Sequence, residues 1–129
     1  MDVDAKAHLT ETHARLSTSP VVATVTVLEE RVGYNYGYLR ARLTLFNQDF
    51  LEVAEYFVVD AGQVQVQRYR YQWMDPVQQV LKKRWDNTKH FPDLPNFPHH
   101  VHVGSETEVV CGQVLSIIEL IDLLEEQLI

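Results

Sequence analysis

From Val21 to Trp85 the apolar side chains recur at every second position, and this period of two constrains the fold more than any other feature of the chain. Residues 21–32 (VVATVTVLEERV) are rich in β-branched side chains and end at Gly33, as a strand does. From Tyr38 to Phe46, Leu39, Ala41, Leu43 and Leu45 alternate with Arg40, Arg42 and Thr44. Asn47-Gln48-Asp49 is a turn, residues 50–59 (FLEVAEYFVV) form a third strand, and Asp60-Ala61-Gly62 suits a tight hairpin. Residues 63–73 make a fourth strand, with Tyr69, Tyr71 and Trp73 on one side and Arg68, Arg70 and Gln72 on the other. Met74-Asp75-Pro76 turns the chain and residues 77–85 return it. Turns this short force each strand to run against the one before it, so the expectation is an antiparallel meander of about five strands.

The ends of the chain have helical period. Residues 3–17 place Val3, Ala7 and Ala14, with Leu9 and Leu16, near one side of a short helix that Ser17-Thr18-Ser19-Pro20 stops. Residues 113–128 carry Val114, Ile117, Ile118, Ile121, Leu124 and Leu128 as one stripe, and two capping boxes, Ser105-x-x-Glu108 and Ser116-x-x-Glu119, compete for the helix start. The fold class is therefore α+β in a single domain, 1–129: a twisted antiparallel sheet with the N- and C-terminal helices packed on one face. The C-terminal stripe is wider than one sheet face requires, because Leu115, Leu120 and Leu123 extend it. With a rim of Glu119, Asp122, Glu125 and Glu126, that surplus predicts a homodimer or partner contact through residues 113–128.

No window approaches 18 consecutive apolar residues, which excludes a membrane-spanning helix. Asp2, Asp4 and Glu11 stand where a signal peptide would be apolar, and the single Cys111 reads as a small buried hydrophobe with no internal disulfide partner. A cytoplasmic location is the expectation. The net charge of −7 argues against indiscriminate nucleic-acid binding, but the charge is unevenly spread. Residues 68–103 carry six basic and three acidic side chains together with four histidines, between acidic flanks. An anionic ligand held locally in that middle section fits the pattern.

That section also holds the chemistry. Arg84-Trp85-Asp86-Asn87 is followed by His90, and Pro98 then opens His99-His100-Val101-His102. Imidazole gives and takes protons near neutral pH. In one reading His99, His100 or His102 act as general base and acid on a phosphodiester while Arg68, Arg70 or Arg84 neutralises phosphate charge. In another, His100 and His102 point the same way from an extended segment and chelate a divalent transition metal, with Asp86 or His90 completing the shell. In a third, the histidines bond to backbone carbonyls that Pro92, Pro95 and Pro98 leave free. Tyr69 and Tyr71 are either a stacking platform for bases or core residues. Phe91, Leu94 and Phe97 are spaced to pin the loop 86–99 to the body of the protein. No phosphate-binding glycine loop, CxxC pair or nucleophile elbow is present.

The run Arg68-Tyr69-Arg70-Tyr71-Gln72-Trp73, then Arg84-Trp85-Asp86-Asn87, His90 and Phe97-Pro98-His99-His100-Val101-His102-Val103-Gly104 resembles the TumE family of small bacterial toxins of type II toxin–antitoxin modules. Where that family usually has a second histidine after His90, this chain has Phe91. The resemblance implies a toxin with a cognate antitoxin encoded beside it. Joined to the histidines, it leads to the expectation of a metal-independent endoribonuclease acting on RNA. In that expectation His99, His100 and His102 are the acid–base groups, and Arg84 and Asp86 position the substrate and orient an imidazole. Arg68, Arg70, Tyr69, Tyr71 and His90 would bind the substrate. The alternative is a non-catalytic protein whose His90, His100 and His102 hold a transition metal or whose surface binds a partner.

Overall fold

A computed structural model of the chain describes residues 4–129. Its elements are α1 (Ala5–Thr18), β1 (Val22–Val32), β2 (Tyr36–Leu45), β3 (Phe50–Asp60), β4 (Gln63–Met74), β5 (Leu81–Asp86), β6 (His100–Val103), β7 (Val109–Cys111) and α2 (Ile117–Leu128). All seven strands lie in one antiparallel sheet in the order of the sequence. The meander is thus two strands longer than expected. The additions, β6 and β7, have four and three residues, too few to show a period, and they sit among prolines, histidines and polar turns.

Alternation divides the sheet into two faces. Directly opposed residues of antiparallel neighbours share a face, so the register Val53↔Tyr71↔Trp85↔Val101 marks one side across β3 to β6. This side is the core: Leu39, Ala41, Leu43, Leu51, Val53, Phe57, Tyr71 and Trp85 are buried together with Ile117, Leu120, Ile121 and Leu124 of α2. Gly37 is required where β2 passes β3, since a Cβ there would fall 2.4 Å from the Phe57 ring.

The helix α1 buries Ala5, His8, Leu9, Thr12 and Leu16; Leu9 and Leu16 face inward as expected, Ala7 and Ala14 are exposed, and Val3 lies outside the described residues. Two polar side chains on the inward stripe explain the difference. His8 Nε2 meets Glu55 Oε1 at 2.7 Å, and the Thr12 hydroxyl donates to the His8 carbonyl at 2.9 Å. Helix α2 starts at Ser116, whose hydroxyl accepts from the Glu119 N–H at 3.1 Å while the Glu119 carboxylate accepts from the Ser116 N–H at 3.0 Å. The competing box at Ser105 and Glu108 forms only a turn. Leu120 is fully buried, and Leu115 and Leu123 pack against the core. Of the apolar surplus of α2, Leu120 is thus covered within the chain, while Leu115 and Leu123 stay partly exposed. Cys111 is exposed on β7 and is not the buried hydrophobe expected. Among the described residues no helix is long and apolar enough to cross a membrane.

Candidate functional site

The face turned away from the helices carries the charged residues. Cross-strand register sets two adjacent rows on it: Ala54, Arg70, Asp86 and His100, then Glu52, Gln72, Arg84 and His102. Residues 68–102 are far apart in sequence, yet one hairpin and one loop place Arg70, Arg84, Asp86, His100 and His102 on neighbouring strands. The loop between β5 and β6 is held by polar anchors instead of the apolar ones expected. Asn87 Nδ2 donates to the Gln67 carbonyl at 2.8 Å, its Oδ1 accepts from the Tyr69 N–H at 3.1 Å, and Asn96 Nδ2 donates to the Gly112 carbonyl at 2.7 Å. Phe97 is exposed and Leu94 only partly covered. Phe91 does pack, but on the polar face: its ring lies 5.1 Å from that of His100 and 5.9 Å from that of His102, edge-on to both. Phe91 holds φ at +58°, a costly conformation for a bulky side chain and one that active sites and switch regions tend to store.

Asp86, His100 and His102 are each less than 5 % exposed. His100 Nδ1 lies 2.9 Å from the Pro98 carbonyl oxygen, and His102 Nδ1 lies 3.0 Å from that of Glu106. A carbonyl only accepts, so in both rings Nδ1 carries a proton and Nε2 is turned the other way. The two Nε2 atoms converge with the carboxylate: His100 Nε2 is 2.9 Å from Asp86 Oδ1, and His102 Nε2 is 3.9 Å from Asp86 Oδ2. Burial and the Arg84 guanidinium push the His102 pKa below the ordinary imidazole value, so at neutral pH this ring is an acceptor.

Arg84 is itself nearly enclosed. Its Nη2 donates to His102 Nε2 at 3.2 Å and its Nε to Asp86 Oδ2 at 3.3 Å, while Glu106 takes both Nη atoms at 2.6 and 2.5 Å. That bidentate pair raises the guanidinium pKa and lowers that of Glu106. Asp86 Oδ1 also accepts the Thr88 N–H at 3.0 Å. Above this cluster is a pocket of about 330 Å³ lined by Arg70, Arg84, Asp86, Thr88, His90, Phe91, His102 and Glu106.

A family model described as Toxin TumE matches residues 9–128 of this chain. The chain belongs to the TumE toxin family. The match takes in every strand of the sheet, all of α2 and α1 from Leu9 onward. No curated protein and no solved structure matches the chain.

The residues that carry the TumE resemblance separate into two groups in space. Arg70, Arg84, Asp86, His100 and His102 are together, and His90 lies exposed at the rim of their pocket, outside the Asp86–His100–His102 cluster. His99 is not with them. It follows the strand's alternation to the helix-facing side, stacks 5.8 Å from the Tyr69 ring and sets Nδ1 2.9 Å from the Tyr69 hydroxyl. Burial and His100 push its pKa down. Tyr71 is wholly buried and donates its hydroxyl proton to the Leu115 carbonyl at 2.7 Å. Tyr69 is 5 % exposed, with its hydroxyl 3.1 Å from the Gln113 carbonyl, and burial raises its pKa. These two tyrosines are core residues that hold the segment before α2, and Tyr71 offers no face to a base.

Other aromatics stand on the open face instead, Tyr36 exposed and Tyr38 and Tyr56 partly buried. Tyr36, Tyr38 and Tyr56 line a groove of about 710 Å³ with Arg31, Arg68, Arg70 and Lys89. Arg68 lies 4.8 Å over the Tyr56 ring and Arg31 5.6 Å over the Tyr38 ring. Arg40 and Arg42, on the same face, are both taken by Glu52, at 3.3 and 3.0 Å. Glu106 and the three groove tyrosines were not singled out from the sequence, and Phe91 was singled out as a loop anchor and not as a neighbour of His100 and His102. The tyrosines had a signal, since Tyr36 and Tyr38 precede Arg40 and Arg42 at the same period of two.

Proposed function

We propose that the protein is the toxin of a toxin–antitoxin pair and cleaves RNA on the open face of its sheet. The observation that carries this reading is the groove. On a chain with a net charge of −7, it is lined by four cations and by no carboxylate. Flat tyrosine rings beside arginines are what a single strand needs, because bases stack without regard to sequence and phosphates meet positive charge. Arg70 and Thr88 belong both to the groove and to the pocket over Asp86 and His102. A strand that lay along the tyrosines would therefore bring a phosphate to Arg70 and Arg84 at the edge of the cluster. Those cations would carry the charge that develops on a pentavalent phosphate. The proton or ion chemistry would fall to Asp86, His100 and His102, whose lone pairs converge there. The antitoxin expected for a toxin of this family would neutralise it.

Expression of the protein without an antitoxin should arrest growth, and the purified protein should cut single-stranded RNA. Arg84→Ala and His102→Ala should each lower cleavage by about 100-fold or more while the circular dichroism stays native. Growth arrest that persists unchanged in both variants, or arrest with no RNA cut in the cell or in the tube, would reject RNA cleavage at this site.

A further inference from the structure

We infer that Asp86, His100 and His102 form a binding site for one divalent transition-metal ion. One carboxylate oxygen and two imidazole nitrogens, from residues that are all buried, lie within 4.8 Å of one another. Two imidazoles and a carboxylate are the donor set that zinc and other first-row metals take when three protein groups bind them and one position stays open. The proton accounting points the same way. Both Nδ1 protons are committed to backbone carbonyls, which fixes the rings and turns both Nε2 atoms inward, the outer-shell arrangement that metal-bound histidines have.

His100 Nε2 supplies the independent observation. It is buried, it is 2.9 Å from Asp86 Oδ1, and it makes no hydrogen bond. With its proton on Nδ1, the ring brings one lone pair against another in a place where little water can screen them. A second proton on the ring would answer this as an ion pair with Asp86; a metal ion is the other cation that three converging donor groups accommodate. A cation shared by the two atoms removes the repulsion. Arg84 supplies positive charge to His102 and to the other oxygen of Asp86, but it does not satisfy His100 Nε2. A metal ion would displace one arginine nitrogen from His102, and the bidentate pair with Glu106 would still hold the guanidinium.

Asp86 and His102 both line the pocket that contains Arg70, so the open coordination position would face it. A bound metal would supply a Lewis acid and an acidified water there. That role rests on the RNA-cleaving reading above; the binding of the ion does not.

The test uses the whole protein, stripped with chelator and shown to be folded by circular dichroism, titrated with Zn²⁺ by calorimetry and with Co²⁺ by visible absorption. One Zn²⁺ per chain should bind, Co²⁺ should develop ligand-field bands, and Zn²⁺ should raise the melting temperature. His102→Gln and Asp86→Asn should each weaken binding by about 100-fold or more, since even outer-shell partners are worth about 10–100-fold. His90→Gln should bind as the parent does. If His100→Gln fails to fold, the other two ligand variants decide. A folded protein that takes up no Zn²⁺ at about 100 µM, or ligand variants with the parent's affinity, would overturn the inference. Zinc binding without RNA cleavage would uphold it and count against the RNA reading. RNA cleavage by a protein that binds no zinc would do the reverse.

Discussion

His8 on α1 and Glu55 on β3 meet at 2.7 Å with both side chains almost fully enclosed, and the second oxygen of Glu55 accepts the N–H of Ile117 at 2.6 Å. One carboxylate at the middle of the sheet thus ties down both helices. Ile117 is the first residue of α2, where backbone N–H groups lack partners within the helix and the dipole favours negative charge. Glu55→Ala strands the Ile117 N–H and one nitrogen of His8 in the core. The expected cost is about 2–3 kcal/mol, seen as a lower urea midpoint at unchanged slope. A midpoint equal to the parent's would show that the carboxylate contributes nothing net.

Leu120 separates a core helix from an interface helix. On α2, it is completely buried in the core. Leu120→Ala should therefore cost about 3–4 kcal/mol, and Leu120→Asp should unfold the monomer. Were α2 an interface at this position, Leu120→Asp would leave a folded protein with a smaller sedimentation coefficient. The unfolding midpoint and the sedimentation velocity, measured on the same preparation, separate the two outcomes.

Acid should loosen the contact between the helices. The Ser19 hydroxyl donates to Glu125 Oε2 at 2.7 Å, and Arg15 donates to both Glu125 oxygens at 3.2 and 3.4 Å. Together they hold the Glu125 carboxyl below its ordinary pKa, with the serine the larger cause. A group whose pKa is lower folded than unfolded stabilises the fold above the unfolded value, about 4.3 for Glu, and loses that contribution as pH falls through the folded value. The group is near the surface, so the effect should stay below about 1 kcal/mol. Ser19→Ala should flatten the drop in stability between about pH 5 and pH 3. An unaltered acid limb in that variant would remove Glu125 from the account.

How far the sequence reveals this molecule depends on whether a residue's place follows from period or from a loop. Strands β1 to β4 were legible because ten to twelve residues of strand pattern outweigh any turn, whereas β5 has six residues and begins at Leu81, not at residue 77 as expected. Strands β6 and β7 were not legible, because three or four residues carry no period and their pairing depends on where the preceding loop lands. The same logic governs the site. Arg84 and Asp86, like His100 and His102, are two apart, so extended backbone puts each pair on one side. His99 is one residue out of phase and goes to the other side, a consequence that the alternation already contained. Glu106 and Phe91 reach the cluster only through loop geometry, and nothing in their spacing announces it. On α1, apolar periodicity finds Leu9 and Leu16 but misses His8 and Thr12, polar residues at inward positions that it counts as outward.

The groove gives a last prediction that distinguishes stacking from charge. Arg68 sits over the Tyr56 ring and is exposed, so it can meet a phosphate without disturbing the core. Tyr38 stands opposite Tyr56 in the register between β2 and β3, and both rings line the groove. If RNA lies there, Arg68→Ala should weaken binding of a short single-stranded RNA and reduce the slope of log affinity against log salt by about one ion contact, roughly 0.7. Tyr38→Ala should weaken binding by an amount worth about 1–3 kcal/mol per base lost from the stack, and its salt slope should match the parent's. Neither change touches Asp86, His100 or His102, so the metal affinity should be that of the parent in both. The measurement is fluorescence anisotropy of a labelled RNA at several salt concentrations. Equal losses and equal slopes for the two variants would mean that the groove does not discriminate base from phosphate, and affinities unchanged in both would place the RNA elsewhere on the protein.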